Sequence, residues 1–341
     1  MRSFLIIIAL WTYTAGAQTL GGNAVFSFLN LPGSARQAAL GGYNITAGGN
    51  DLGMGFQQPA LLRPSMHGQV ATSMNAFLAG IQQYNISSAW YLPKQDFTLA
   101  GGIQYLQYGS ITQTDVSGNV LGSFRPQDYV VQVMASKSYK EHWWLGTSLK
   151  YVHSNYGQYR ASGIAADISV LFSDTTRLLQ AAFLVRNLGT QISTYAPGGA
   201  KEEMPFDIQL GITKKLAQAP LQFSLTAHQL QRFNIYYNDP GFNEAEGNTA
   251  KPSFGRKLMS HLILSAQFFP SEKLEINTGY NFLRRNDLNV FNASNGLNGF
   301  TMGVGLLLKR LHIRYATGFY QRNTFHQFSI NLDRGGKALG L

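Results

Sequence analysis

The sequence predicts an all-β fold, a transmembrane antiparallel β-barrel of about 14 strands with a short N-terminal helical plug, or hatch. Three observations predict it. From residue 67 onward, bulky residues alternate with small or polar ones in one run of about ten residues after another. The connections between runs alternate between short and long, as periplasmic turns alternate with outer loops. Charged residues are only 13% of the chain against 45% hydrophobic, with 17 Tyr, 22 Phe and 36 Gly, which suits a surface facing lipid and ringed by aromatics.

In chain order, residues 1–17 (MRSFLIIIALWTYTAGA) read as a signal peptide: Arg2, an apolar run over 4–11, then Ala15, Gly16 and Ala17, with cleavage expected after Ala17. The apolar run is about half the ~20 residues of a spanning helix. Residues 18–66 lack alternation and are expected to form the plug, because a lumen of this width would otherwise fill with water. Within them Leu31, Pro32 and Ser34 open a short helix that carries Arg36, reaches Leu40 and stops at Gly41 and Gly42. A second short element spans 58–62 and contains Pro59 and Leu61. Arg36 sits among Ala and Leu, so it is expected to anchor plug to wall through a carboxylate or carbonyl.

Residues 67–333 are expected to be the barrel, with strands near 67–75, 81–93, 97–109, 128–138, 142–154, 162–173, 178–188, 206–215, 220–229, 259–269, 273–285, 299–309, 311–321 and 324–332. In the run 206–213, Phe206, Ile208, Leu210 and Ile212 face one way and Asp207, Gln209, Gly211 and Thr213 the other. Short turns near 94–96, 139–141, 174–177, 216–219 and 270–272 alternate with long connections at 110–127, 189–205, 230–258 and 286–298. A two-sheet sandwich shares the alternation but has no reason to sort its loops this way. Lys150, Arg186, Lys309 and Arg314 fall on faces read as inward, with Asp167, Asp207 and Glu275. They read as paired lumen charges, or as an anion route. Residues 334–341 form a tail without the terminal aromatic common on bacterial barrels.

Chemistry is sparse. The absence of cysteine excludes disulfide frameworks, Cys-based zinc sites and thiol nucleophiles. There is no Gly-x-Ser-x-Gly elbow, Ser-x-x-Lys pair or His-Glu-x-x-His helix, and the seven His, among them His67, His142, His153 and His228, stand apart. Gly41-Gly42 and Gly53-x-Gly55 lack the strand, helix and Lys of a phosphate loop and read as tight turns. The +10 charge is scattered singly, which points to anionic lipid head groups or an acidic partner rather than to nucleic acid. No catalytic residue, metal ligand or cofactor is assigned, and the protein is expected to bind rather than to catalyse. The loop over 230–258 holds Phe233, Tyr236, Tyr237, Phe242, Phe254, Arg256 and Lys257, residue types enriched in protein interfaces. The same types would also serve as an aromatic girdle with lipopolysaccharide contacts at the rim.

Residues 24–42, AVFSFLNLPGSARQAALGG, resemble the start of the PorQ family of the Bacteroidetes type IX secretion system. Asn50-Asp51-Leu52 and Pro59-Ala60-Leu61-Leu62 fit the same pattern. They also look like a divergent hatch of the wider FadL-like fatty-acid channels, where an Asn-Pro-Ala-Gly-Leu type element occupies this position. This chain departs from that element, having Gln58-Pro59-Ala60-Leu61. The resemblance implies a component of the attachment complex in the cell outer membrane. There it would anchor a PorZ-like surface protein, beside a PorU-like sortase and a PorV-like barrel, where C-terminal-signal cargo is trimmed and joined to anionic lipopolysaccharide. Two alternatives stay open. A FadL-like channel for hydrophobic small molecules would need an apolar path and a wall opening, for which Gly101-Gly102 is the candidate. A lipid-acting outer-membrane enzyme would need Ser or Asp and His converging on one face.

Overall fold

A computed structural model of the chain describes residues 24–235, 253–288, 295–321 and 323–335. The expected signal peptide and the end of the tail lie outside the described residues. The strands are β1 Gln69–Ala76, β2 Gln82–Leu92, β3 Phe97–Gln107, β4 Ile111–Thr114, β5 Val120–Phe124, β6 Gln127–Tyr139, β7 Trp143–Tyr156, β8 Tyr159–Asp174 and β9 Leu179–Ser193. They continue with β10 Asp207–Lys215, β11 Leu221–Ala227, β12 Leu262–Ser271, β13 Leu274–Asn281, β14 Phe300–Leu307, β15 Leu311–Tyr320 and β16 Asn323–Asp333. All except β4 and β5 form one closed antiparallel barrel of 14 strands in which each strand pairs with its sequence neighbour. It closes by β1 on β16, in a register running from Gln69 opposite Asp333 to Ala76 opposite His326. The fold class expected from the sequence is the fold observed.

Period-two patterning decides which side of the wall each residue faces. Along β7, Leu145, Leu149 and Tyr151 are exposed outward while Ser148, Lys150 and Val152 are buried inward. The inner faces are unusually polar, with Gln132, Asp167, Gln209, Glu275, Asn277 and Arg314 all buried. The start of β1, the end of β16 and the connections after β2, β6, β8, β10, β12 and β14 lie at one end of the barrel, which by the usual arrangement is the periplasmic end. The outer end carries the long connections and also two-residue turns between β7 and β8 and between β15 and β16.

Four features of the barrel depart from expectation. The connection over 110–127 contains the hairpin β4–β5, which pairs only with itself, all of β4 being exposed. The outer connections from β11 and from β13 contain helices, written here α3 (Phe254–Ser260) and α4 (Phe282–Asp287). The alternation read through 285 therefore stops at Asn281, whose side chain accepts from Arg284 N and starts a helix. Lys309 is not on an inward face but exposed in the turn between β14 and β15. Gly101-Gly102 is not an opening, since β3 pairs with both β2 and β6 through these residues without a break.

The wall is uneven in height. Strands β6 to β9 hold 13 to 16 residues, whereas β10, β11, β13 and β14 hold only 7 to 9. The outer rim is therefore low on the β10–β14 side, and α3 and α4 stand on that low side.

The described residues before β1 lie inside the barrel. A 3-10 turn at Ser27–Asn30 is followed by the short helices α1 (Ala35–Ala39) and α2 (Leu52–Gly55) and then by 3-10 turns at Pro59–Leu61 and Pro64–Met66. The pair Gly53 and Gly55 thus falls within a helix rather than a turn, because the Asp51 side chain accepts from Gly53 N and caps it.

Candidate functional site

The plug descends the lumen from the outer rim to the periplasmic end. At the outer end Phe26, Phe28 and Leu29 pack on Leu106, Val130 and Val152 of the tall wall. Leu40, Ile45, Met54 and Leu61 meet Leu171 and Leu184 lower down, and Leu52, Phe56, Leu62 and Met66 meet Ala71, Ala89 and Met134.

The residues of the expected plug motif all lie in this segment. The Leu31 carbonyl accepts from Gln57 Nε2, and the Pro32 carbonyl accepts from Gln83 Nε2 at 3.0 Å and Gln327 Nε2 at 3.4 Å, on two separate strands. Ser34 caps α1 by accepting from Gln37 N at 3.4 Å. Leu40 is fully buried, Gly41 N donates to Thr301 Oγ1 at 3.0 Å, and Asn281 Nδ2 donates to the Gly41 carbonyl at 3.2 Å. Gly41 and Gly42 both have φ near +90°, at the point where α1 ends and the chain reverses. Pro59 opens the turn that buries Leu61, and Ala60 N donates to Ser169 Oγ at 3.1 Å.

Plug and wall touch at glycines. An added Cβ at Gly279 would collide with Leu40 and Gly41 backbone, and one at Gly146 with Pro59 and Ala60 backbone. At Gly303 it would stand 2.7 Å from Ala39 Cβ, at Gly211 2.7 Å from Ile45 Cγ1, and at Gly102 2.9 Å from Phe56 Cε2. These inward glycines are seats for the plug, taking its backbone at Gly279 and Gly146 and its side chains at Gly303, Gly211 and Gly102.

Arg36, 5% exposed, lies with Nε 4.0 Å from Glu275 Oε2 and donates from Nη2 to the Gly48 carbonyl at 3.2 Å. Glu275 on β13 also accepts from Arg314 Nε of β15 at 2.6 Å, and Arg314 Nη1 lies 3.5 Å from Asp51 Oδ2. Asp51 in turn accepts from Asn331 Nδ2 at 2.7 Å. Two cations from plug and wall thus face two anions from plug and wall, which leaves the set electrically balanced and its desolvation compensated. The sequence marks Asp51 only as part of the Asn50-Asp51-Leu52 motif, without this role, and does not mark Asn331; the N-cap position of Asp51 before an apolar residue is the available signal.

A second buried set lies in the tall wall. Lys150 Nζ is 2.7 Å from Asp167 Oδ2 and donates to Asn187 Oδ1 at 2.8 Å. Arg186 donates to the Leu29 carbonyl of the plug, and stands opposite Asp207 in the β9–β10 register. The inward charges therefore pair with one another or with the plug, except Asp207, which accepts from Gln209 Nε2 at 2.7 Å and from Gln229 N at 2.6 Å.

At the outer end an apolar cavity of about 300 Å³ is lined by Phe28, Leu31, Phe77, Ile81, Leu106 and Tyr108. A neighbouring one of about 280 Å³ shares Leu31 and Phe77 and adds His228 and Arg284. His228 stacks on Tyr43 with ring centroids 5.1 Å apart. Burial, helped by the charges of His261 and Arg284, lowers its imidazole to about 3, so it is neutral at ordinary pH.

Of the residues expected to meet a partner, Tyr236, Tyr237 and Phe242 lie outside the described residues. Phe254, Arg256 and Lys257 lie on α3, where Ser253 caps the helix by accepting from Arg256 N. Phe254 is 69% exposed and touches the Phe233 ring, centroids 5.4 Å apart. One Ser–His pair does converge: His153 Nδ1 is 2.9 Å from Ser162 Oγ across β7 and β8, in contact with the Tyr129 ring and Tyr151 hydroxyl. Among the described residues no carboxylate hydrogen-bonds or ion-pairs with His153, so the pair lacks the group that would orient a catalytic base.

The fold is similar to that of three solved transporters and channels. The Ralstonia pickettii toluene transporter TbuX aligns at a TM-score of 0.51 with 11% identity, over 89% of this chain and 98% of that one. The monoaromatic hydrocarbon channel CymD aligns at 0.51 with 10% identity, over 90% and 97%. A deltaS2 mutant of the monoaromatic hydrocarbon channel TodX aligns at 0.50 with 12% identity, over 89% and 97%. At these identities the likeness is one of fold. No family model and no curated protein matches the sequence.

Proposed function

We propose that this chain is an outer-membrane anchor of the type IX secretion attachment complex, exported by a signal peptide over residues 1–17. In this reading it holds a PorZ-like surface protein near a PorU-like sortase, a PorV-like barrel and anionic lipopolysaccharide. The observation that carries it is the way the plug is fastened. Buried ion pairs, carbonyls held by wall side chains and backbone seated on glycines tie it to the barrel along its length. A lumen closed by so many coupled contacts suits a rigid scaffold, and the outer loops, including the one holding Tyr236, Tyr237 and Phe242, are left for docking. The resemblance of residues 24–62 to the PorQ family supplies the identity of the complex.

The test is affinity purification of the tagged protein from native outer membranes in mild detergent, with mass spectrometry of what remains bound. A large surface protein in near-equal amount is expected. Recovery of the barrel alone, carrying hydrophobic small molecules, overturns the anchor reading. That second outcome belongs to the alternative of a channel for hydrophobic molecules, favoured by the apolar cavity at Phe28, Leu31 and Phe77 and by the fold shared with TbuX.

A further inference from the structure

The low side of the barrel is too short for a bilayer. At about 3.4 Å per residue and a tilt near 40°, strands of 7 or 8 residues such as β11, β13 and β14 rise only about 18–21 Å, against an outward apolar band about 25 Å tall. The missing few ångströms lie at the outer end, where α3 stands between β11 and β12. A helix lying there is about 10 Å across with its side chains, enough to fill the gap.

The face α3 turns away from the protein has the chemistry of that gap. Phe254 and Leu258 are one turn apart and exposed, Met259 is exposed beside them, and Phe233 extends the patch. On the opposite side Ser260 is buried and its Oγ accepts from Asn286 Nδ2 at 3.0 Å, which fixes the rotation of the helix. The patch continues the outward apolar surface of β11 to β14, where Phe223, Leu225, Leu264, Phe268, Tyr280 and Phe300 lie. Arg256 and Lys257 put cations on the same helix, the residue type with which interfacial helices meet anionic lipid head groups.

We infer that α3 is an interfacial helix whose Phe254, Leu258 and Met259 sit in the outer leaflet and complete the lipid-facing band on the low side. Its occupant is lipid, not a protein partner. The inference stands whether or not the anchor reading does, because it needs only the barrel and a bilayer.

The chain has no cysteine, so a nitroxide can be placed at single sites without other changes. Phe254→Cys and Leu258→Cys would be spin-labelled in the full chain, in vesicles of phosphatidylcholine and phosphatidylglycerol. Collision rates with oxygen and with a water-soluble nickel chelate are then compared. Leu264→Cys on β12 is the lipid reference and Val116→Cys at the tip of the β4–β5 hairpin the aqueous one. Labels at 254 and 258 are expected to collide more with oxygen than with nickel, as at 264. A preference for nickel, as at 116, overturns the inference, and so does low access to both reagents, which would mean a protein surface covers the helix.

Discussion

Glu275 stands between two guanidiniums, Arg36 of the plug at 4.0 Å and Arg314 of the wall at 2.6 Å. Replacing it by glutamine keeps the shape and removes one of the two anions, leaving both cations buried with Asp51 alone. Breaking a buried pair in this way costs about 3–5 kcal/mol, since the remaining charge is desolvated without compensation. Glu275→Gln is therefore expected to lower the denaturant midpoint of the barrel in vesicles by an amount corresponding to that loss. A change below about 1 kcal/mol, the size of an exposed pair, would mean that the network does not fasten the plug. Arg36 is legible as an anchor because a lone cation among Ala and Leu has to find an acceptor. Glu275 is not legible as its acceptor, because several inward carboxylates satisfy the same rule and nothing local ranks them.

Elements were legible in proportion to their regularity. The barrel strands show themselves through period-two alternation, which a wall with lipid on one side and a polar lumen on the other imposes over about ten residues. The hairpin β4–β5 escaped because both its faces meet solvent, so no alternation is required of it. Helices α3 and α4 escaped because 7 and 6 residues hold less than two turns, too few to show a period. Between plug and wall the working contact is the glycine seat, and this can be tested against a glycine that seats nothing. Gly279→Ala is expected to lift the loop at Leu40 and Gly41 and to speed amide exchange over residues 33–42. Gly101→Ala, whose Cβ would stand 3.9 Å from the Trp90 ring in ordinary contact, is expected to leave that exchange unchanged. Equal exchange in both variants would show that the close approach at Gly279 is dispensable.

For the whole molecule, the plug decides whether a barrel of 14 strands behaves as a closed post or an open pore. A barrel this wide lies between small ones filled by their own side chains and the larger porins, and its inner face is lined with polar groups such as Gln132, Gln209 and Asn277. Deleting residues 18–66 is expected to raise ion conductance in planar bilayers at least about tenfold over the intact protein, as the polar lumen fills with water. Unchanged conductance would show that the wall closes by itself. The sequence alone determined the barrel class, the strand count, the outward and inward faces and the presence of a plug. These follow from the thickness and polarity of the membrane, which act on each segment independently. The tertiary structure alone decided which wall residues hold the plug, that the rim is low from β10 to β14, and that an apolar cavity opens at the outer end. Those features depend on pairs such as Thr301 Oγ1 donating to the Ala39 carbonyl at 2.8 Å, 262 residues apart in the chain, which only closure of the barrel brings together.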